Sequence, residues 1–163
     1  MSKAFTSEES SPELVVPPRP PLPFGVPNYV TPRGLELLRA EKLQLEAARA
    51  TLDAAPEEGR AVSLAAWAAR MQELEQRLSS AQLIALASTP KQAVRFGSKV
   101  SVVDAAGEQK TYEIVGVDEA DPSQGKIAFL SPLAKALLGK RVGDAVELRT
   151  PAKLQKLEIT HNE

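Results

Sequence analysis

The spacing of apolar residues changes twice along the chain, and each change marks a boundary between elements. From Arg33 to about Ala54 the sequence is rich in Leu, Ala, Glu, Arg and Lys, and Leu38, Leu45 and Leu52 recur every seven residues. That period places them on one side of a helix. Thr31-Pro32 supplies its opening, with the hydroxyl as N-cap and the proline in the first turn. Ala55-Pro56-Glu57-Glu58-Gly59 interrupts the pattern, because proline and glycine this close together are poorly accommodated inside a helix. A second seam then runs through Leu64, Trp67, Met71, Leu74, Leu78, Ala81 and Ala85, alternating by three and four residues. Two seamed helices joined by a short turn predict an antiparallel coiled-coil hairpin over residues 31–88, with arms of roughly 23 residues, or about 35 Å. Trp67 is expected to be its packing anchor.

After Ser88-Thr89-Pro90 the period shortens to that of strands. Lys99 to Val103 and Thr111 to Val117 flank the turn Asp104-Ala105-Ala106-Gly107, and Lys126 to Leu130 follows the turn Asp121-Pro122-Ser123-Gln124-Gly125. Ser131-Pro132 opens a short helix, Leu133 to Leu138, which stops at Gly139. Strands at Ala145 to Leu148 and Leu154 to Ile159 complete residues 89–163 as a small antiparallel sheet with one short helix against it. The fold class is α+β. Residues 1–30 contain the run VVPPRPPLPFGVP, whose missing amide donors and fixed φ angles prevent a helix. They read as a flexible arm, with a proline-rich ligand for a partner as the alternative.

Composition narrows the chemistry. The 20 basic and 21 acidic residues leave a net charge of -1, so nothing pulls the chain as a whole toward phosphate or anionic lipid. Without cysteine there are no disulfides, thiolate metal sites or cysteine nucleophiles, and the single histidine, His161, is too near the end to serve a triad or a metal cage. No apolar run is long enough to span a bilayer and Met1 to Ser10 lacks the apolar region of a signal peptide, so a cytosolic protein is expected.

Few groups remain as candidates. Asp118, Glu119 and Asp121 crowd one turn, but their spacing matches no calcium loop and they read as solvated. Lys135, Lys140 and Arg141 sit on or just past the short helix, where cations complement its carbonyl end. The hairpin turn is the more informative place, since Asp53, Glu57 and Glu58 bring carboxylates to the point farthest from the sheet domain, with Arg60 beside them. Alone, such a tip binds Mg²⁺ weakly, because the ion keeps most of its waters unless a partner adds ligands.

Several segments taken together resemble the Gre family of bacterial transcription elongation factors. They are Tyr29-Val30-Thr31-Pro32-Arg33-Gly34-Leu35-Glu36-Leu37-Leu38, the second-helix end Leu78-Ser79-Ser80-Ala81-Gln82-Leu83-Ile84, Val94-Arg95-Phe96-Gly97-Ser98-Lys99-Val100, Thr111-Tyr112-Glu113-Ile114-Val115-Gly116 and the run from Ser131-Pro132 to Gly143-Asp144. The resemblance implies an FKBP-like sheet domain that docks, as a monomer, on the rim of the RNA polymerase secondary channel. Ser131 and Pro132 would meet the polymerase. The hairpin would enter the channel, where tip acids of the family help hold a second Mg²⁺ shared with the polymerase, so that the polymerase itself hydrolyses backtracked RNA. On that reading the protein is not an enzyme, and nucleic acid is met only through the polymerase. Asp53, Glu57 and Glu58 are the acids here that could take the catalytic and metal-holding role.

The tip departs from the family pattern. Nothing here matches a motif like GDLSENAEY, Asp53 and Glu57 flank Pro56, and the hairpin is shorter than usual by about two turns per helix, or ~10 Å of reach. Two polymerase-directed readings therefore stand together: a divergent factor that stimulates cleavage, and a short-hairpin regulator of the Rnk type that occupies the channel and competes with cleavage factors. A third, peptidyl-prolyl isomerase, rests on the FKBP-like fold alone. Phe96, Tyr112 and Phe129 are the aromatic residues of that domain, too few for an aromatic proline pocket.

Overall fold

A computed structural model describes residues 18–86 and 93–163. The first part of the arm and the expected junction at Ser88-Thr89-Pro90 lie outside the described residues. Strand β1 (Asn28–Val30) leads into helix α1 (Pro32–Asp53), which returns through helix α2 (Glu57–Ser80) to strand β2 (Ala81–Leu83). The sheet domain follows with β3 (Lys99–Asp104), β4 (Gln109–Val115), β5 (Lys126–Ala128), helix α3 (Pro132–Leu137), β6 (Ala145–Arg149) and β7 (Leu154–Asn162). None of the described helices is long and apolar enough to cross a membrane.

Helix α1 starts as its sequence dictates, with Thr31 Oγ1 accepting from the Gly34 N–H at 2.9 Å and Pro32 in the first turn. Its seam is Leu38, Leu45 and Leu52, all buried, and the first two pack with Met71 and Leu74 of α2, the latter fully enclosed. Glu58 and Gly59 have non-helical backbone angles, with Gly59 at φ +79°, so regular α2 begins after the Pro/Gly break.

The second seam ends earlier than its periodicity suggests. Ala81 belongs to β2, and Ala85 is exposed beyond it. Two long-range interactions stop the helix at Ser80. The Asn28 side-chain amide donates to the Arg77 carbonyl at 2.9 Å and to Ser80 Oγ at 3.3 Å. In addition β1 draws residues 81–83 into a parallel pair, Asn28 beside Ala81 and Val30 beside Leu83. Tertiary pairing here overrides helix propensity.

The five strands of the larger sheet are ordered β5-β4-β3-β7-β6. Four of the neighbours were expected to be antiparallel, but β4 and β5 run parallel, with Ile114 beside Ile127, so the sheet is mixed. The segment Val117 to Gly125, with its short 3-10 turn at Pro122–Gln124, provides the connection that turns β5 back alongside β4. Val100, Val102, Ile114, Leu137 and Ile159 form a core at most 1% exposed between this sheet and α3.

The described part of the arm is not free. Leu22 and Val26 pack against the sheet-domain core, and the Tyr29 ring lies 5.8 Å from Phe96 and 5.5 Å from Phe129. Backbone approaches backbone here, since a Cβ on Gly116 would stand 2.5 Å from the Tyr29 carbonyl oxygen. Residues 18–30 therefore join the hairpin to the sheet domain instead of trailing from it.

Candidate functional site

The far end of the hairpin is the first place to build from its residues. Asp53 closes α1 and accepts from Arg49 Nε at 3.1 and 3.2 Å, an exposed pair one helical turn apart. Arg49 is itself held over the Trp67 ring, its guanidinium carbon 4.9 Å from the centroid, while Trp67 Nε1 donates to the Leu45 carbonyl at 2.7 Å. Trp67 thus anchors both helices, though it is half-buried and not enclosed. Glu57 and Glu58 are exposed on the other side of Pro56. Arg60, expected to offset the acids, instead donates through Nε to the Ala55 carbonyl at 2.8 Å, with Nη2 on the same oxygen, and so ties down the turn.

This donor set does not fit a metal ion as it stands. Asp53 makes an exposed pair with Arg49, its neighbours lie across a proline, and among the described residues no three Asp, Glu, His or Cys side chains converge closely enough to hold a metal ion. The expectation that Asp53, Glu57 and Glu58 form one cluster finds exposed but separate carboxylates.

Ser131 and Pro132 open α3. Ser131 Oγ accepts from the Ala134 N–H at 3.2 Å, so its hydroxyl serves as the helix cap, and Pro132 is exposed beside it. The aromatic residues of the domain are divided. Phe96 and Phe129 pack on each other, centroids 5.7 Å apart, and on Tyr29, whereas Tyr112 lines a separate cleft of about 60 Å³. No aromatic pocket for proline is assembled from them.

A second group of polar residues lies at the hairpin base, and sequence reasoning missed it. Asp118 and Glu119, expected to be solvated, have side chains only 7% and 1% exposed. Glu119 accepts a hydrogen bond from the Thr31 hydroxyl and faces Lys126 Nζ at 3.4 Å. Gly34 is required opposite it, because a Cβ there would meet Glu119 Oε2 at 2.8 Å. Asp118 accepts from Arg19 Nη1 at 2.8 Å and lies 3.6 Å from Arg77 Nη1. Arg19 Nη2 reaches Glu41 of α1 at 2.6 Å, and Arg70 Nε meets the same carboxylate oxygen at 2.7 Å. Burial of this many charges is tolerable only because each has a counterion. The Gly34 inside an otherwise strong helix former was the available signal.

The family model described as transcription elongation factor, GreA/GreB, C-term, matches residues 89–162. Transcription elongation factor GreA of Maricaulis maris is 44% identical over 91 residues, covering 55% of this chain and 58% of that protein. GreA of Legionella pneumophila (strain Corby) is 47% identical over 92 residues, covering 55% and 58%. The match therefore spans less than two thirds of the length of these curated relatives. Among solved structures, GreA factor homolog 1 (Gfh1) of Thermus thermophilus is similar at 28% identity and a TM-score of 0.39, covering 83% of this chain and 97% of that one. A GreA/GreB elongation factor from Nitrosomonas europaea is similar at 22% identity and a TM-score of 0.41, covering 84% and 98%. Residues 89–162 thus match the carboxy-terminal domain of the GreA/GreB elongation factors, and the chain is similar to GreA over about 55% of its length.

Proposed function

We propose that this chain binds bacterial RNA polymerase through its sheet domain, places its hairpin in the secondary channel, and regulates elongation there without stimulating transcript cleavage. It acts on the polymerase and is not itself an enzyme. The supporting observation is the tip. Asp53 is neutralised by Arg49, which Trp67 holds in place, and Glu57 and Glu58 stand apart from it across Pro56. A shared Mg²⁺ is better held where several carboxylates converge, and no group of three is assembled among the described residues. What the hairpin retains, though shortened, is the bulk of two packed helices. Helix α1 with 22 residues reaches ~33 Å, enough to fill a channel and exclude another hairpin from it.

Ser131 and Pro132 belong to the docking face in this reading, with the capped start of α3 presenting the exposed proline. The direct test is gel filtration of the full chain with core RNA polymerase, alone and with a cleavage-competent GreA in excess. Co-elution that GreA displaces is expected. Failure to co-elute would overturn the docking, and simultaneous co-elution of both proteins would overturn the shared site.

A further inference from the structure

We infer that Arg19 is a positioning residue that sets the direction of the hairpin relative to the sheet domain. In consequence the proline-rich segment around it is a brace and not a tail. The inference rests on the proposed function only for its purpose, since the geometry belongs to the chain alone.

Helix α1 leaves the sheet domain at a single place. Its N-cap Thr31 is hydrogen-bonded to Glu119, and β1 just before it lies against Gly116. Arg77 of α2 adds a second link at the same base, 3.6 Å from Asp118, and links confined to the base of a rod leave its direction loosely fixed. Among the described ion pairs, Glu41 is the residue of α1 beyond that end that is joined to the sheet domain, and it is joined through Arg19. Glu41 stands ten residues past Thr31, about 15 Å along the helix at 1.5 Å per residue. The guanidinium spans the gap with two prongs, Nη2 to Glu41 at 2.6 Å and Nη1 to Asp118 at 2.8 Å, and its side chain is 5% exposed. A two-pronged planar donor suits this task better than an ammonium, which is a single point of charge.

The segment carrying Arg19 is stiffened and held against both α2 and the sheet domain. Pro18, Pro20, Pro21 and Pro23 restrict its backbone, the Pro20 carbonyl accepts from Arg77 of α2, and Leu22 and Val26 are packed on the sheet-domain core. Arg19 is thus held by the arm, by α1 and by the loop after β4 together. Its removal leaves Arg70 on Glu41 and Arg77 near Asp118, so both carboxylates keep a cation while the cross-link between them is lost. A 10° swing about the N-cap would carry the far end of a ~33 Å helix by about 6 Å, enough to misdirect a hairpin that must enter a channel.

The absence of native cysteine allows two spin labels to be placed by Thr51→Cys, near the far end of α1, and Glu158→Cys, exposed on β7. The distance between them is measured by pulsed electron resonance on the free full chain, with circular dichroism confirming that each variant is folded. A single narrow distribution is expected for the parent, and one broadened by about 6 Å for Arg19→Ala and for Glu41→Ala, which removes the acceptor of the same bridge from the other side. Phe24→Ala, also in the arm but fully exposed, should leave the distribution narrow. Folded Arg19→Ala and Glu41→Ala chains with the parent's distribution would overturn the inference, as would equal broadening in Phe24→Ala. Because polymerase is absent from this measurement, failure of the docking proposal would appear separately, as loss of co-elution by the parent chain.

Discussion

Replacing Trp67 by alanine probes the hairpin at the point where its two helices and its far end are coupled. The ring is half-buried, so the apolar area lost is worth about 1 kcal/mol and not the full value of an enclosed side chain. Loss of the indole donor to the Leu45 carbonyl, at 2.7 Å, adds about 1 kcal/mol, and loss of the Arg49 guanidinium from the ring face adds about 0.5 kcal/mol at so exposed a site. A destabilisation of about 2–3 kcal/mol follows, below the ~3–5 kcal/mol of a buried tryptophan. For a chain of this size that lowers the melting temperature by about 5–10 °C, read by helical circular dichroism. Trp67→Phe, which keeps a ring but no N–H, should lose less than half as much. An alanine variant melting within about 1 °C of the parent would refute the coupling, and a phenylalanine variant as unstable as alanine would refute the division among its parts.

Other positions give sharper expectations. Leu74→Ala, at a fully enclosed seam position, should cost about 2–5 kcal/mol in urea unfolding. Glu119→Ala should cost about 3–5 kcal/mol, because it strands the largely buried Lys126 and removes the acceptor of the Thr31 hydroxyl; Glu119→Gln, which retains an acceptor, should cost less. Gly116→Ala should loosen β1, since its Cβ would stand 2.5 Å from the Tyr29 carbonyl, and faster amide exchange at Asn28 to Val30 would report it. By contrast, the triple change of Asp53, Glu57 and Glu58 to alanine should shift stability by under about 1 kcal/mol, because these groups are exposed and their one ion pair is of surface type.

What the sequence revealed and what it hid divide by range. Leu38, Leu45 and Leu52 announced α1 because their partners follow a local period, and all three are buried where that period puts them. The five strands of the larger sheet were legible as short apolar runs between turn residues, whereas β1 and β2 were not, the one reading as part of a flexible arm and the other as part of the second helix. The parallel pairing of β5 with β4 was not, since it depends on how the segment after β4 returns. Nor could periodicity detect that α2 stops at Ser80, where the cause is Asn28, 52 positions earlier.

The hardest feature to read was charge. Arg19 in a proline run and Asp118 in a turn each look like solvated residues, yet they meet across 99 positions, and Thr31 finds Glu119 across 88. Nothing local distinguishes a carboxylate awaiting such a partner from one facing water. The tip acids illustrate the converse, since closeness in sequence suggested a cluster that Pro56 and the Arg49 pair keep apart.

What the hairpin does at a stalled polymerase can be read from RNA release by a purified backtracked elongation complex. The complex carries RNA labelled at its 3′ end and is incubated with Mg²⁺ and the full chain, with retention of the chain followed in the same samples. The account predicts that the chain stays with the complex, that no short 3′ fragments appear, and that added GreA cleaves more slowly as the chain's concentration rises. Short fragments released by the parent chain, and abolished by changing Asp53, Glu57 and Glu58 to alanine, would contradict it.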